Sequence, residues 1–468
     1  MEPIRKLWQR IMRVMRGEAD AATAHGRGRL RLRRAAWSGI SNSAASACAL
    51  AVAFISVPLI LRHIGAAEYG VWITLSSVLT WLAMADAGLA GPALVNALSN
   101  AQGRDDAEES KRVISTAFFM LCAIACGIAA VAFGCFDRIP WAVLFNAPPE
   151  LSAKELEQAI KLALLCFALS FPAGMISSVY AGLQKGYVAH GWSALSSVIS
   201  LAALILALRM GGGLPGVVAA YSGARLLVLL IGAGVLFGLH HPELAPRWRH
   251  VSAATFQRVF HLGWKYLLQQ MANLALFHSQ PMILTHLAGP VAVAAFAVAQ
   301  RLLTIPALFV QFFTLPLVPA YGDARARLDQ EWMQKTLRRS VKGAVAIGAG
   351  LGLPLLLAAP WIISWWASPD LASNQALLAS LFTYALINCA ATPFAVFLNG
   401  VERVGFMATA TWINAAVTLA LAFHWVPLHG ATGMGMAMMS GLAVNAVLQV
   451  NKARNMLKAE EAHRPSPP

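Results

Sequence analysis

The chain has 468 residues, of which 58% are hydrophobic and 12% are charged, and its formal net charge is +15. Soluble domains usually carry about 25% charged residues, so this composition excludes an ordinary soluble protein. The excess of Lys and Arg therefore reports membrane topology and does not indicate a nucleic-acid partner.

Long apolar runs follow one another along almost the whole chain. A run of about 18 or more apolar residues predicts a membrane-spanning helix, because about 20 residues at 1.5 Å each cross the hydrocarbon layer. The runs predict an all-α polytopic membrane protein with about twelve spans. They are 38–61, 71–97, 113–135, 158–180, 192–210, 214–239, 262–287, 291–318, 342–366, 376–399, 405–427 and 430–451.

Most Lys and Arg residues lie in the two tails and in the even-numbered loops. By the positive-inside rule, both termini are cytoplasmic. Residues 1–35 form a basic N-terminal segment in which Leu7 and Met15 share a helical face that Arg5 and Arg10 do not. This pattern favours a basic amphipathic helix on an anionic inner leaflet, and a solvated tail that only sets orientation is the alternative.

The chain contains an internal duplication. PLILRHI (58–64) matches PMILTHL (281–287), and IPWAVLFNAPPELSA (139–153) matches APWIISWWASPDLAS (359–373). The matches fall at equivalent points of spans with the same orientation, which predicts two parallel six-helix lobes. The boundaries that follow are an N-lobe at 36–240, a cytoplasmic inter-lobe loop at 241–261, a C-lobe at 262–452 and a cytoplasmic tail at 453–468.

Three of the cations within predicted spans are candidates for binding an anionic substrate. Arg225 and Arg301 are near mid-bilayer, where a guanidinium costs several kcal/mol unless it faces protein or water. Lys265 heads a polar stripe. Guanidinium groups suit an anionic head group, so the three predict a cationic, water-accessible cavity. The alternatives are that each arginine pairs with a carboxylate or with backbone carbonyls inside the bundle, and that Lys265 snorkels to the inner surface.

Amide side chains extend this lining. Gln269, Asn273 and Gln280 share a helical face with Lys265, and further amides lie at Gln300 and Asn388. They are candidates for binding sugar hydroxyls. Amides in membrane helices also bridge neighbouring helices, and the sequence leaves both roles open.

Asp86 is the carboxylate that lies well inside a predicted span, just before a Gly-Leu-Ala-Gly-Pro break. It is a candidate proton- or cation-coupling site, a counter-ion for an arginine, or a cap at the helix break. The six cysteines lie in apolar segments, and no histidine or carboxylate accompanies Cys122 and Cys126, which are one helical turn apart, so we expect no metal site.

The residues near the start of the first lobe resemble a known family. PLILRHIG, the tripeptide Glu68-Tyr69-Gly70 and the run Asp86-Ala87-Gly88-Leu89 are similar to the start of Wzx-type polysaccharide flippases. These form the polysaccharide-transporter branch of the multidrug/oligosaccharidyl-lipid/polysaccharide exporter superfamily. The resemblance implies a MATE-like fold in a bacterial inner membrane.

The resemblance also implies a function in O-antigen or exopolysaccharide synthesis. Such proteins move undecaprenyl-pyrophosphate-linked oligosaccharides to the outer leaflet, with H+ or Na+ coupling expected by analogy and no bound cofactor. The implied partners are the lipid-linked oligosaccharide, membrane lipids, and the polysaccharide polymerase and chain-length machinery, with no nucleic acid.

Two other transport functions remain as alternatives, a lipid II-type flippase and a MATE-like small-molecule exporter. The positive deep charges favour an anion over the cations that such exporters carry. A polytopic polymerase or glycosyltransferase would need a loop able to hold paired carboxylates or a metal, and the outer loops are short. We therefore expect a protein that is not an enzyme.

Overall fold

The computed structural model describes residues 24–86, 91–104, 106–149, 151–315, 317–326, 329–371, 374–401 and 403–462. Most of the predicted N-terminal amphipathic segment, residues 1–23, lies outside the described residues, as does the end of the tail, 463–468. Throughout the described residues the chain forms helices and no strand. The predicted all-α fold is confirmed.

The α-helices of the first half are α1 (Ala24–Ala83), α2 (Pro92–Gly103), α3 (Ala107–Gly134), α4 (Trp141–Leu144), α5 (Ala153–Ala173), α6 (Ile176–Gly182), α7 (Gly186–Arg209), α8 (Leu214–Val218) and α9 (Ala224–Gly234). Those of the second half are α10 (Ala253–Phe277), α11 (Ser279–Ala288), α12 (Pro290–Leu303), α13 (Ile305–Thr314), α14 (Leu317–Ala326), α15 (Gln330–Trp366), α16 (Gln375–Gly400), α17 (Val404–His429) and α18 (Ala431–Ala462).

Helix length and hydropathy identify the membrane-crossing segments. Within the described residues nine helices are long and apolar enough to cross a membrane, or up to ten if α12 and α13, bent by 42°, form one span. The first of the nine, Ser41–Asp86, has 46 residues, more than twice the length of about 20 that a single crossing needs. The predicted count of twelve stays a prediction.

Gly65 divides that first long helix. Its backbone angles are φ 80° and ψ 171°, a region that is essentially restricted to glycine. The break falls between the predicted spans 38–61 and 71–97. The break falls at Gly65 because residues with a Cβ atom are strained in this backbone conformation, whereas glycine is not.

Residue contacts divide the chain into two compact units. Unit 1 comprises residues 1–60, 82–140 and 152–268. Its main core joins α2, α3, α6 and the segment around Leu236 and Leu244, with Leu94, Ile114 and Val179 fully buried. Helices that are apolar on all sides pack against one another by van der Waals contact, because the hydrophobic effect does not drive helices together in lipid.

Unit 2 comprises residues 61–81, 141–151 and 269–468. One of its cores gathers Tyr321, Phe397 and Met456 from α14, α16 and α18. Small residues allow close approach of helices here: a Cβ atom added to Gly400 would collide with the backbone of Val318. The predicted lobe boundaries at 240 and 262 stay a prediction.

Candidate functional site

Arg301 lies in unit 2 at a bend of the helical backbone. It occupies the last turn of α12, and α13 departs from that helix by 42° after Thr304. The Thr304 hydroxyl donates to the carbonyl oxygen of Gln300 at 2.8 Å, which closes the end of α12. A cation in the last turn of a helix is stabilised by the partial negative charge of the helix end. The Arg301 side chain is half-buried.

Gln300 lies beside Arg301 and reaches a different helix. Its Nε2 atom donates to the sulfur of Met438 in α18 at 3.9 Å. Thr304, Gln300 and Arg301 therefore form one polar turn in an otherwise apolar helix. The sequence predicted both the amide and the cation of this turn, and the bend that follows them comes just before Pro306.

Arg225 lies in unit 1, directly after a π-helical segment. Ala219–Gly223 is π-helical, and α9 begins at Ala224. The hydroxyl of Ser200 in α7 donates to the Tyr221 carbonyl at 3.4 Å, which supports the widened turn. Single π turns are frequent at functional sites. The Arg225 side chain is exposed at the surface of its own unit.

Asp86 and Lys265 also belong to unit 1. Asp86 ends a short 3-10 helix, Met84–Asp86, and its side chain is half-buried. Lys265 lies on α10, but its side chain is outside the described part of the structure. The α-helix α1 ends at Ala83, and residues 87–90, which include the start of the predicted break, lie outside the described residues.

The predicted amides all lie in unit 2. Gln280 is buried, and its Nε2 atom donates to the Leu276 carbonyl at 2.6 Å across the junction of α10 and α11. Asn273 and Asn388 are half-buried, and the side chain of Gln269 is not described. Unit 2 thus gathers Arg301 and the amides, whereas Arg225, Lys265 and Asp86 lie in unit 1.

A buried polar seam between α17 and α18 was missed by the sequence analysis. Asn414 and Thr418 on α17 and Asn445 and Gln449 on α18 are at most 8% exposed. Thr418 donates to Asn414 at 3.2 Å and Gln449 to Asn445 at 3.1 Å. Gly441 packs against Thr418 and Asn414, which brings the helices together. The signal was present, because each pair has polar residues four apart in an apolar helix.

The described residues contain no group of three or more His, Cys, Asp or Glu side chains that could hold a metal ion. Among the described residues, the candidate site residues offer guanidinium, amide and carboxylate groups, and neighbouring side chains add hydroxyls. Such groups bind anions and sugar hydroxyls by hydrogen bonds.

A family profile described as "Polysaccharide biosynthesis protein" matches residues 38–325. The chain belongs to this family. The resemblance to polysaccharide flippases of the larger exporter superfamily is thereby confirmed, and the protein is a membrane transporter of that superfamily. Comparison with curated protein sequences returns no match.

Solved structures share the fold at low sequence identity. An inward-facing multidrug resistance MATE family transporter is 16% identical with a TM-score of 0.74, covering 91% of this chain and 96% of its own. The lipid II flippase MurJ in an inward closed conformation is 12% identical with a TM-score of 0.69, covering 89% and 87%.

A superfamily transporter from Pyrococcus furiosus, described with reversed polarity of its binding pocket, is 16% identical with a TM-score of 0.57 and covers 91% and 94%. Together these likenesses confirm the MATE-like fold that the sequence resemblance implied.

Proposed function

We propose that this protein moves an undecaprenyl-pyrophosphate-linked oligosaccharide from the inner to the outer leaflet of a bacterial cytoplasmic membrane. The observation that carries the proposal is the match of residues 38–325 to a polysaccharide biosynthesis family in a chain whose deep charges are mainly positive. The head group of such a substrate is a diphosphate, which guanidinium groups bind with paired hydrogen bonds.

The physical task explains the residue types. A pyrophosphate and a glycan cannot enter hydrocarbon unaided, because each unsatisfied polar group costs several kcal/mol there. In the proposed mechanism, Arg225, Arg301 and Lys265 replace water around the diphosphate. The amides Asn273, Gln300 and Asn388, with Gln269 and Gln280, supply hydrogen bonds to sugar hydroxyls.

Alternating access, as in other transporters built from repeats, would expose this cationic site to each side in turn. H+ or Na+ coupling is part of the proposal, with Asp86 as the candidate coupling or counter-ion residue. A polysaccharide polymerase and its chain-length machinery are the proposed partners, because they would receive the translocated unit.

A lipid II-type flippase is the second candidate, and the likeness to MurJ favours it. Lipid II and a polysaccharide repeat unit share the polyprenyl diphosphate and differ in the sugar part. The deep cations therefore do not distinguish the two candidates. A direct comparison of the transport rates of the two substrates does.

The test is leaflet-resolved transport in proteoliposomes that contain a fluorescent polyprenyl-diphosphate oligosaccharide. We expect Arg301→Ala and Arg225→Ala each to lower the transport rate at least about tenfold, since each removes a charge-assisted contact. Arg301→Lys should retain partial activity. Arg209→Ala, which removes an exposed arginine at the end of α7, is the matched control and should transport normally.

Normal transport by both arginine variants at normal expression would contradict the site. Faster transport of lipid II than of the oligosaccharide lipid would replace the first candidate by the second. The same reaction reports enzymatic activity, because an enzyme would lengthen or trim the glycan, whereas a flippase changes only its sidedness.

A further inference from the structure

Unit 1 contains an apolar cavity of about 310 Å³. Its wall is formed entirely by apolar side chains from α3, α5, α6, α9 and the loop after them. They are Phe118, Leu169, Pro172, Ala173, Ile176, Leu230, Ala233, Phe237 and Pro246. Ala173 and Ile176 lie deep, at 7% and 3% exposure, whereas Leu169 and Leu230 form a half-exposed rim. The cavity thus opens at the surface of unit 1.

The cavity lies where two helices depart from regular α-helical geometry. Pro172 stands at the end of α5, and α6 starts only at Ile176. Opposite them, Val235–His240 is π-helical and carries Phe237. Proline and π turns disturb the regular packing of side chains along a helix, which leaves a space between these segments.

The inter-lobe loop closes the end of this cavity. Pro246 lines the wall, and the backbone N–H of Arg247 donates to the Ser115 hydroxyl at 3.1 Å. Further on, the N–H of Ser252 donates to the Thr116 hydroxyl at 3.2 Å. Both acceptors are buried residues of α3. The position of the loop relative to the cavity is therefore fixed by two hydrogen bonds.

An aromatic chain joins the cavity wall to the surface. Phe118 contacts Phe119 edge to face at 5.4 Å, and Phe119 contacts Trp248 in the same way at 4.8 Å. Trp248 itself is 72% exposed. An exposed tryptophan supported in this way is typical of the membrane–water interface, where the ring sits at head-group level.

Two arginines flank this tryptophan. Arg247 and Arg249 are both exposed, and in the described part of the chain neither pairs with a carboxylate. The neighbouring acids are already engaged: Glu109 pairs with Arg258 and Glu243 with His241. An unneutralised positive pair therefore stands on the loop that closes the end of the apolar cavity.

We propose that unit 1 binds an anionic phospholipid of the cytoplasmic leaflet, with an acyl chain in the apolar cavity and the phosphate on Arg247 and Arg249. The apolar wall excludes a hydrophilic ligand, because no polar side chain lines it. The charge of the loop selects an anionic over a zwitterionic head group. None of the proposed transport residues lines the cavity, and the bound lipid would hold the inter-lobe loop against the membrane.

Native mass spectrometry of the full chain in detergent tests the proposal, with phosphatidylglycerol and phosphatidylcholine as probes. We expect preferential binding of phosphatidylglycerol. Arg247→Gln combined with Arg249→Gln should weaken the affinity for phosphatidylglycerol about 25-fold, because each cation near an anionic head group contributes about fivefold. The control is Arg338→Gln combined with Arg339→Gln, an exposed pair on α15. It should change the affinity for phosphatidylglycerol less than about twofold.

A second variant addresses the acyl chain. Ala233→Phe fills the cavity and should weaken both lipids, whereas Ala202→Phe adds the same group to an exposed position of α7 and should weaken neither. Equal phosphatidylglycerol affinity in the wild type and the Arg247/Arg249 variant would overturn the proposal. Displacement by inorganic phosphate, or tighter binding of undecaprenyl phosphate, would overturn the choice of a phospholipid.

Discussion

Gly65 and Gly289 follow the two copies of the repeated motif and share one backbone conformation. Their angles are φ 80° and ψ 171° for Gly65, and φ 83° and ψ 166° for Gly289. Gly65 directly follows PLILRHI, whereas Ala288 separates PMILTHL from Gly289. The same turn thus recurs after both copies, shifted by one residue, because a glycine is needed to adopt it without strain.

Substitution of either glycine should destabilise the protein through its backbone alone. Nothing lies within 4 Å of a Cβ atom added at Gly65, so Gly65→Ala should lower the free energy of unfolding by about 1–3 kcal/mol from strain only. Gly289→Ala should behave alike. Thermal unfolding in detergent measures the effect. Gly343→Ala, an equally open position inside α15, is the control and should not destabilise.

Gly70 permits close packing of α1 against the start of α12. A Cβ atom added there would collide with the carbonyl group of Pro290 at the start of α12. Because backbone cannot move aside as a side chain does, Gly70→Ala should destabilise by about 2 kcal/mol or more. Gly127→Ala in α3, where the added atom meets nothing within 4 Å, is the control. Equal melting temperatures for the two variants would contradict this contact.

Thr74 and Thr285 form a buried hydroxyl pair in unit 2. Thr74 donates to the Gly70 carbonyl at 3.0 Å, so the Thr285 hydroxyl donates to Thr74. Thr74→Val should destabilise by about 1–3 kcal/mol, since it leaves a buried donor unsatisfied. Adding Thr285→Val should recover part of this loss in a double-mutant cycle. Thr409→Val, which removes a similar backbone contact at an exposed position, should have little effect.

A chain of hydrogen bonds crosses the start of the inter-lobe loop. Lys185 Nζ donates to His241 Nε2 at 2.9 Å, and His241 Nδ1 lies 2.9 Å from the Glu243 carboxylate. Because an ammonium group only donates, Nε2 is the acceptor and the Nδ1 proton faces Glu243. The hydrogen bond from His241 lowers the pKa of Glu243 below its usual 4.5.

This contact should make stability depend on pH in one direction. The folded-state pKa of Glu243 is depressed, so its contribution is present above pH 4.5 and is lost as the pH falls through the lower folded-state value. Glu243→Gln should therefore lower the melting temperature at neutral pH. The difference in melting temperature from wild type should shrink as the pH falls below 4.5. Melting temperatures across the pH range measure it. Glu331→Gln, an exposed acid on α15, should show no such trend.

Local sequence patterns predicted the class of the protein. Apolar runs long enough to cross a bilayer predicted the all-α membrane fold, because a chain in lipid must satisfy its backbone hydrogen bonds within helices. The flippase motifs around Glu68 and Asp86 predicted the family. The end of α1 at Ala83 was also readable, since the Gly-Leu-Ala-Gly-Pro sequence at 88–92 comes soon after it.

The sequence by itself determined the helices, the duplication and the charged residues that lie deep in them, because these depend on periodicity and composition along one segment. Only the tertiary structure decided which helices meet. It grouped residues 61–81 with unit 2, paired Thr74 with Thr285, and set the inter-lobe loop beside an apolar cavity. Such contacts depend on packing between segments far apart in the chain, and no single helix pattern records its partner.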